Sequence, residues 1–247
     1  MVAAHVRDDD AWPRPLDEGE VRAIRLGGWG ALLAGIAFLV TIAYIFGFLF
    51  ARGLSTDMLN EPSQLLPWVH ANTVAYVGLW WIFLLHLLLL LPAPAGLAVI
   101  AGPRRASIRV ASTAGVAGIV VGTVAAMVNA ATAPALGVAS ASMPPALLPN
   151  VWLLSELAGS LALHLRLLSD LLIAVWLATT ARTLVHRSGW RAMAVAQLAV
   201  SVLVLVVVTA KPFDWLDLEP SLGFALVLVY LWIGVALLRV SRPAISS

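Results

Sequence analysis

The sequence predicts an all-α, polytopic membrane protein in which six transmembrane helices pack as a bundle. Of the 247 residues, 61% are hydrophobic and 11% are charged, whereas a soluble domain is nearer half apolar and a quarter charged. The apolar residues fall in six blocks of about 20 residues or more, the length that crosses about 30 Å of hydrocarbon. With six crossings, nearly all arginines of the connecting segments fall on one side.

The six blocks predict one membrane domain, residues 27–241, between two short polar ends. Residues 1–26 alternate acidic side chains with arginines, and we interpret them as a cytoplasmic tail. A cleaved signal is not expected because the first apolar block starts late and is long. A metal-binding or partner-binding role for the acidic run is the alternative. Residues 242–247 are predicted to be a cytoplasmic C-terminal end.

The spans are predicted at residues 27–50, 72–101, 110–133, 151–181, 192–210 and 221–238. Pro92 and Pro94 are expected to kink or end the second helix. In the third span Gly115, Gly118 and Gly122 recur at three- and four-residue spacing, so they share one face that allows close helix approach. The polar segment before the second span and the uncharged segment before the fourth are predicted as loops, residues 51–71 and 134–150.

The distribution of arginine predicts the orientation of the bundle. The positive-inside rule puts the tail, the second and fourth connecting loops and the C-terminus in the cytoplasm. The composition, rich in Ala and Leu and poor in Lys, is typical of a high-GC bacterium, so we expect a bacterial plasma (inner) membrane. A formal charge of +2 does not argue for nucleic acid. The lipid bilayer is the expected partner, and a homo-oligomer or another membrane protein is left open.

The fourth span is unusual because it carries Glu156, His164, Arg166 and Asp170. At about 100° per residue, these side chains and Ser160 share one half of a helix. Ionisable groups within a membrane normally face the bundle interior or a water-filled cavity. We therefore expect an inward-facing site that binds or transports a proton or small solute. The alternative is a structural ion pair between Arg166 and Asp170, four positions apart, without any ligand.

His86 in the second span is expected to lie at a depth similar to that of His164. Two histidines at one depth on different helices can ligate a b-type haem or contribute to a metal site. Glu156 and Asp170 are then candidate further metal ligands, although two hydrogen-bonded structural histidines would give the same pattern. Asn129, deep in the third span, is expected to form an interhelical hydrogen bond, and Asn129 and His86 are also candidates for the ligand or proton site.

No familiar catalytic motif is present in the sequence. It lacks G-x-S-x-G, H-E-x-x-H, the P-loop and G-x-G-x-x-G. Because it also has no cysteine, thiolate metal sites and a cysteine nucleophile are excluded. An enzymatic activity is therefore left open but not favoured. Three functions remain: a binding or transport protein with a polar cavity, a redox protein that carries haem or a metal, and a structural or accessory subunit of a membrane complex.

Three local motifs follow one another along the chain. The sequence LNEP at residues 59–62 precedes a second span that contains Trp80. The third span ends in NAATAP at residues 129–134, and the polar fourth span leads to RSGW at residues 187–190. In these features the chain resembles small bacterial six-span integral membrane proteins classed as a domain of unknown function. The resemblance covers most of the chain and implies no established activity, so no site residue is carried over.

Overall fold

The computed structural model describes residues 16–103, 105–211 and 219–241. Within these ranges the chain contains α-helices and no β-strand. The α-helices are α1 (Glu18–Ala43), α2 (Pro62–Ala71), α3 (Thr73–Leu90), α4 (Ala93–Ala101), α5 (Ala106–Ser142), α6 (Leu148–Leu184), α7 (Arg191–Ala210) and α8 (Glu219–Val240). Most of the predicted N-terminal tail, the C-terminal end and residues 212–218 lie outside the described residues.

Six stretches of the described chain are long and apolar enough to cross a membrane, as the sequence predicts. They are Glu18–Arg52, Thr73–Ala101, Ala106–Ser142, Pro145–Leu184, Arg191–Ala210 and Leu222–Val240. The all-α bundle is therefore confirmed. Helix α2 is the short element that precedes the second of these stretches.

Helix α1 begins earlier than predicted, inside the segment assigned to the polar tail. The Asp17 carboxylate accepts a hydrogen bond from the Glu20 backbone N–H at 2.8 Å, and the Glu20 carboxylate accepts one from the Asp17 N–H at 3.2 Å. This reciprocal capping box satisfies two N–H groups that the first turn leaves free. At its other end α1 continues through a π-helical turn, Tyr44–Leu49, into the 3₁₀ turn Phe50–Arg52.

The two predicted loops are shorter than expected because helices occupy much of them. Residues 51–71 include α2, which begins at Pro62, where a proline has no N–H bond to lose. Helix α5 continues through Pro134, and a 3₁₀ turn at Pro145–Leu147 leads directly into α6. Helices α5 and α6 have 37 residues each, so each is about 55 Å long.

The predicted break in the second span is confirmed. Helix α3 ends at Leu90 and α4 starts at Ala93, with Pro92 between them. The Ser112 hydroxyl on α5 donates a 3.3 Å hydrogen bond to the Pro94 carbonyl, which fixes α4 against α5. On the other side Gly27 of α1 packs so closely on Gly96 that an added Cβ atom would lie 3.0 Å from the Gly96 Cα.

The glycine face predicted for the third span is the contact between α5 and α6. A Cβ atom at Gly118 would lie 2.9 Å from the carbonyl oxygen of Ser169, and one at Gly115 would lie 2.8 Å from the indole of Trp176. Both distances are too short for a real side chain, so only glycine permits this approach. The glycines of α5 thus determine which side of α6 faces the bundle.

Contacts among four helices define a level near the middle of the bundle, which we call the central level. The His86 imidazole on α3 lies 2.9 Å from the Ala34 carbonyl of α1. Its ring centroid is 5.7 Å from that of Tyr230 on α8. Asp170 on α6 borders the same cavity as these two side chains. Depth along each helix is counted below from this level.

The two ends of the bundle differ in charge. One end holds the α4–α5 and α6–α7 connections, and eight of the ten described arginines cluster there: Arg22, Arg25, Arg105, Arg109, Arg182, Arg187, Arg191 and Arg239. We call it the arginine end. The opposite end holds α2 and the α5–α6 connection, and we call it the α2 end. Its described charges include Arg52 and Lys211 with Asp57 and Glu61.

Candidate functional site

A small cavity lies among α1, α3, α5, α6 and α8, from the central level towards the α2 end. Its volume is about 40 Å³. Most of its wall is apolar, and the polar side chains that border it come from four helices. They are His86, Asn129, Arg166, Ser169, Asp170 and Tyr230. The structure thus brings together four of the six side chains that the sequence singles out.

Arg166 and Asp170 form the charged wall of the cavity. The Arg166 Nε atom lies 4.0 Å from Asp170 Oδ2, across one turn of α6. The Arg166 side chain is 46% exposed, whereas that of Asp170 is 17% exposed. The predicted pairing along the helix is therefore present at the limit of ion-pair distance. A long contact at this position leaves both groups able to interact with other polar atoms in the cavity.

His86 is fixed by one hydrogen bond and by aromatic packing. A carbonyl oxygen only accepts, so the 2.9 Å contact with Ala34 requires that His86 Nδ1 carries the proton and donates it. The ring stacks on Phe38 with centroids 4.6 Å apart, and the residue is 3% exposed. In the neutral imidazole Nε2 is then an acceptor.

Ser169 and Asn129 join the site from facing surfaces of α6 and α5. The Ser169 hydroxyl donates a 2.7 Å hydrogen bond to the Gly118 carbonyl, which ties the two helices together beside Asp170. Asn129 is half-buried and lines the cavity. Its predicted interhelical hydrogen bond is not formed with any described residue, because its amide faces the cavity instead. The prediction for Asn129 was wrong in that respect.

Replacing Ser169 with alanine tests the α5–α6 hydrogen bond. Because Ser169→Ala removes the donor without adding volume, we expect a loss of about 0.6–1.5 kcal/mol in unfolding free energy. The measurement is thermal unfolding of the purified protein in detergent. Thr209→Val, at an exposed hydroxyl that bonds only its own helix, is the control, and an equal effect of both changes would contradict the interhelical role.

Glu156 and His164 do not reach the cavity, so the expectation that all the ionisable groups face inwards was wrong. Both side chains are exposed, as is Ser160 between them. The inward side of α6 is set by residues that pack on the α5 glycines. Ser169, one of these, lies about 140° from Glu156 around the helix at 100° per residue. Arg166 and Asp170 lie nearer to Ser169 and so face the cavity.

The predicted pairing of His86 with His164 is also wrong. His86 is buried between α1 and α8, whereas His164 is exposed and its Nδ1 atom lies 2.7 Å from the Ser160 carbonyl. A haem held between these imidazoles would need both to face one space much larger than 40 Å³. Within residues 16–103, 105–211 and 219–241, no three His, Asp or Glu side chains are placed to hold a metal ion.

Sequence reasoning missed the contributions of Ser169 and Tyr230. Ser169 could have been noticed from the sequence, because it lies on a stripe of α6 whose residues recur at the same three- and four-residue spacing as the α5 glycines. Tyr230 carries the one hydroxyl in the interior of the sixth span, since Ser221 lies at the end of that span. Polar side chains in spans usually have a partner across the bundle, and this rule would have singled it out.

A comparison with known proteins finds no protein family, no curated protein and no solved structure that matches this chain. The resemblance to six-span bacterial membrane proteins therefore stays a prediction that rests on local motifs.

Proposed function

We propose that the chain is a multi-pass membrane protein that binds protons at the cavity bordered by Arg166 and Asp170 and passes them across the bilayer. The observation that supports this proposal is the convergence of His86, Asn129, Arg166 and Asp170 on one cavity that begins at the central level. Intramembrane carboxylates and imidazoles are typical of proton pathways. These four side chains come from three separate helices, α3, α5 and α6.

The size of the cavity favours protons over larger solutes. A volume of about 40 Å³ holds roughly three water molecules, since each needs about 10–15 Å³ of this kind of space. A sugar or an amino acid does not fit without displacement of the surrounding helices. Water in a space of this size can bridge the carboxylate to the other polar groups and carry protons between them.

Each polar group has a role in this proposal. The Asp170 carboxylate accepts the proton, and the Arg166 guanidinium stabilises the charged state that remains when the proton leaves. His86 Nε2 is an acceptor because Nδ1 already donates to the Ala34 carbonyl. The Asn129 amide can both donate to and accept from water. The site extends towards the α2 end, so protons enter from that side.

The orientation of the bundle is part of the proposal. The arginine end faces the cytoplasm by the positive-inside rule, and the α2 end then faces away from it. Both termini are cytoplasmic, and a bacterial plasma membrane fits the composition of the chain. The cavity then lies on the non-cytoplasmic side of the central level.

The proposal is tested by proton flux into liposomes that contain the purified protein and a trapped pH-sensitive dye. We expect wild type to dissipate a pH gradient faster than protein-free liposomes, and Asp170→Asn to lower that rate at least about tenfold because an amide cannot exchange the proton. Glu156→Gln is the matched control, since it removes an exposed carboxylate on the same helix. Background flux for wild type, or equal losses in both variants, would overturn the proposal.

A further inference from the structure

The half of α6 nearest the α2 end has a mostly polar face that no other described helix covers. Glu156, Gly159, Ser160 and His164 are exposed, and Leu163 among them is half-buried. An added Cβ atom at Gly159 would meet no atom within 4 Å. We call these five residues the open face of α6.

The open face results from a difference in helix length. Helix α6 has 37 residues, and its antiparallel neighbour α7 has 20. The two run side by side from their connection at the arginine end, so α6 extends about 25 Å beyond the end of α7. Over that distance α7 does not cover α6, whereas it does cover the half of α6 nearest the arginine end.

The depth of the open face makes exposure to lipid unfavourable. His164 is six positions from Asp170, about 9 Å above the central level, and Ser160 is about 15 Å above it. We take the central level, which lies near the middle of the bundle, as the bilayer centre, and the hydrocarbon then reaches about 15 Å to each side of it. Glu156, about 21 Å above the central level, lies among the headgroups. Polar side chains at the depth of His164 rarely face lipid, which indicates that another surface covers them.

The hydrogen-bonding groups of the open face are self-complementary. His164 Nδ1 lies 2.7 Å from the Ser160 carbonyl, so this nitrogen carries the proton and Nε2 is a bare acceptor. The Ser160 Oγ atom is 3.4 Å from the same Nδ1 and cannot donate to a nitrogen that already bears a proton. Each chain therefore presents one hydroxyl donor and one imidazole acceptor, a turn apart, on the same exposed stripe.

We propose that the open face of α6 is the contact between two copies of this chain. Two copies inserted in the same orientation present the same stripe to each other across a two-fold axis along the membrane normal, which is an isologous contact. The Ser160 hydroxyl of each copy then donates to His164 Nε2 of the other copy. A second copy satisfies both groups at once, because each surface supplies what the other needs.

The remaining side chains of the open face fit the same contact. Gly159 and Ser160 are small, so the two helices can approach closely at their level. At 100° per residue, Leu163 lies about 20° from Glu156 around the helix, between the directions of Gly159 and Ser160. It is therefore near the middle of the stripe, where the leucines of the two copies pack against each other.

The absence of cysteine allows a clean cross-linking test. Leu163→Cys puts a thiol in the middle of the open face, and Phe224→Cys puts one on the exposed side of α8 at a similar depth, six positions from Tyr230. Both changes replace a large apolar side chain. Each variant is oxidised in native membranes and analysed by non-reducing electrophoresis. We expect a disulfide-linked product of twice the chain mass for Leu163→Cys and at least about tenfold less for Phe224→Cys.

A second substitution separates a specific contact from a folding defect. Gly159→Leu in the Leu163→Cys background adds a side chain to open space, so the single chain should keep its melting temperature while the cross-link falls at least about fivefold. Equal cross-linking at residues 163 and 224 would overturn the proposal, as would cross-linking that Gly159→Leu leaves unchanged. A product of unequal mass would instead assign the open face to a different protein.

Discussion

Gly118→Val is expected to be among the most destabilising single substitutions in the described bundle. A Cβ atom at this position would lie 2.9 Å from the Ser169 carbonyl oxygen and 3.1 Å from an Ile173 side-chain carbon. The clash involves backbone, so α5 and α6 must separate, and Gly118 is also the acceptor of the Ser169 hydroxyl. Overpacking of this kind costs about 1–3 kcal/mol, and loss of the hydrogen bond adds about 1 kcal/mol.

The measurement is the apparent melting temperature of the purified variant in detergent, together with the yield of monodisperse protein. Gly47→Ala, in the π-helical turn Tyr44–Leu49, is the control, because its added methyl group meets no atom within 4 Å and alanine favours helix over glycine by about 1 kcal/mol. We expect Gly118→Val to lower the melting temperature and Gly47→Ala to keep or raise it. A Gly118→Val protein as stable as wild type would contradict the close α5–α6 contact.

His86→Ala is expected to destabilise the bundle strongly, and His86→Phe only weakly. The imidazole is 3% exposed and packs on Phe38 at 4.6 Å and on Tyr230 at 5.7 Å between ring centroids. Truncation to alanine leaves a void at the central level, and large-to-small changes in a packed core cost about 2–5 kcal/mol. Phenylalanine keeps the ring and loses only the hydrogen bond to Ala34, about 1 kcal/mol.

Thermal unfolding of both variants beside wild type checks this expectation, and a visible spectrum of the same samples tests the haem hypothesis. Equal destabilisation by His86→Ala and His86→Phe would show that the hydrogen bond, rather than ring packing, fixes this residue. A Soret band in wild type that both substitutions abolish would make His86 a haem ligand, contrary to the packing described above.

The number of spans and the nature of the α5 face could be predicted from the sequence. The length of each apolar block can be read from that block alone. Whether two arginine-containing loops lie on the same side of the membrane depends only on whether an even number of spans separates them. The glycines at 115, 118 and 122 likewise report a close helix contact through their spacing alone. These predictions hold because none requires knowledge of which helix lies beside which.

The orientation of α6 about its own axis could not be predicted in the same way. A helical wheel gives angles between residues of one helix and contains no information about its neighbours. The sequence correctly groups Glu156, His164, Arg166 and Asp170 on one half of α6. The side of α6 that faces into the bundle is determined by contact with the α5 glycines. Glu156 and His164 are exposed because α7 is too short to cover them.

The extent of α5 was underestimated for a related reason. Pro134 is a helix-ending signal when only the local sequence is considered. Here the helix continues through it, and α2 packs alongside, with an added Cβ atom at Gly137 placed 3.1 Å from the Leu66 carbonyl. Tertiary packing between segments distant in sequence thus outweighs the local signal.

The break between α3 and α4 has a mechanical consequence for the bundle. Pro92 and Pro94 have no N–H groups, so the chain can bend there without losing a backbone hydrogen bond. An added Cβ atom at Gly30 would lie 2.5 Å from the ring of Pro92, and Arg187 in the α6–α7 connection donates to the Ile100 carbonyl at the far end of α4. Helix α4 is therefore held at both ends, so a movement about the proline pair must either displace α1 and the α6–α7 connection or break these two contacts.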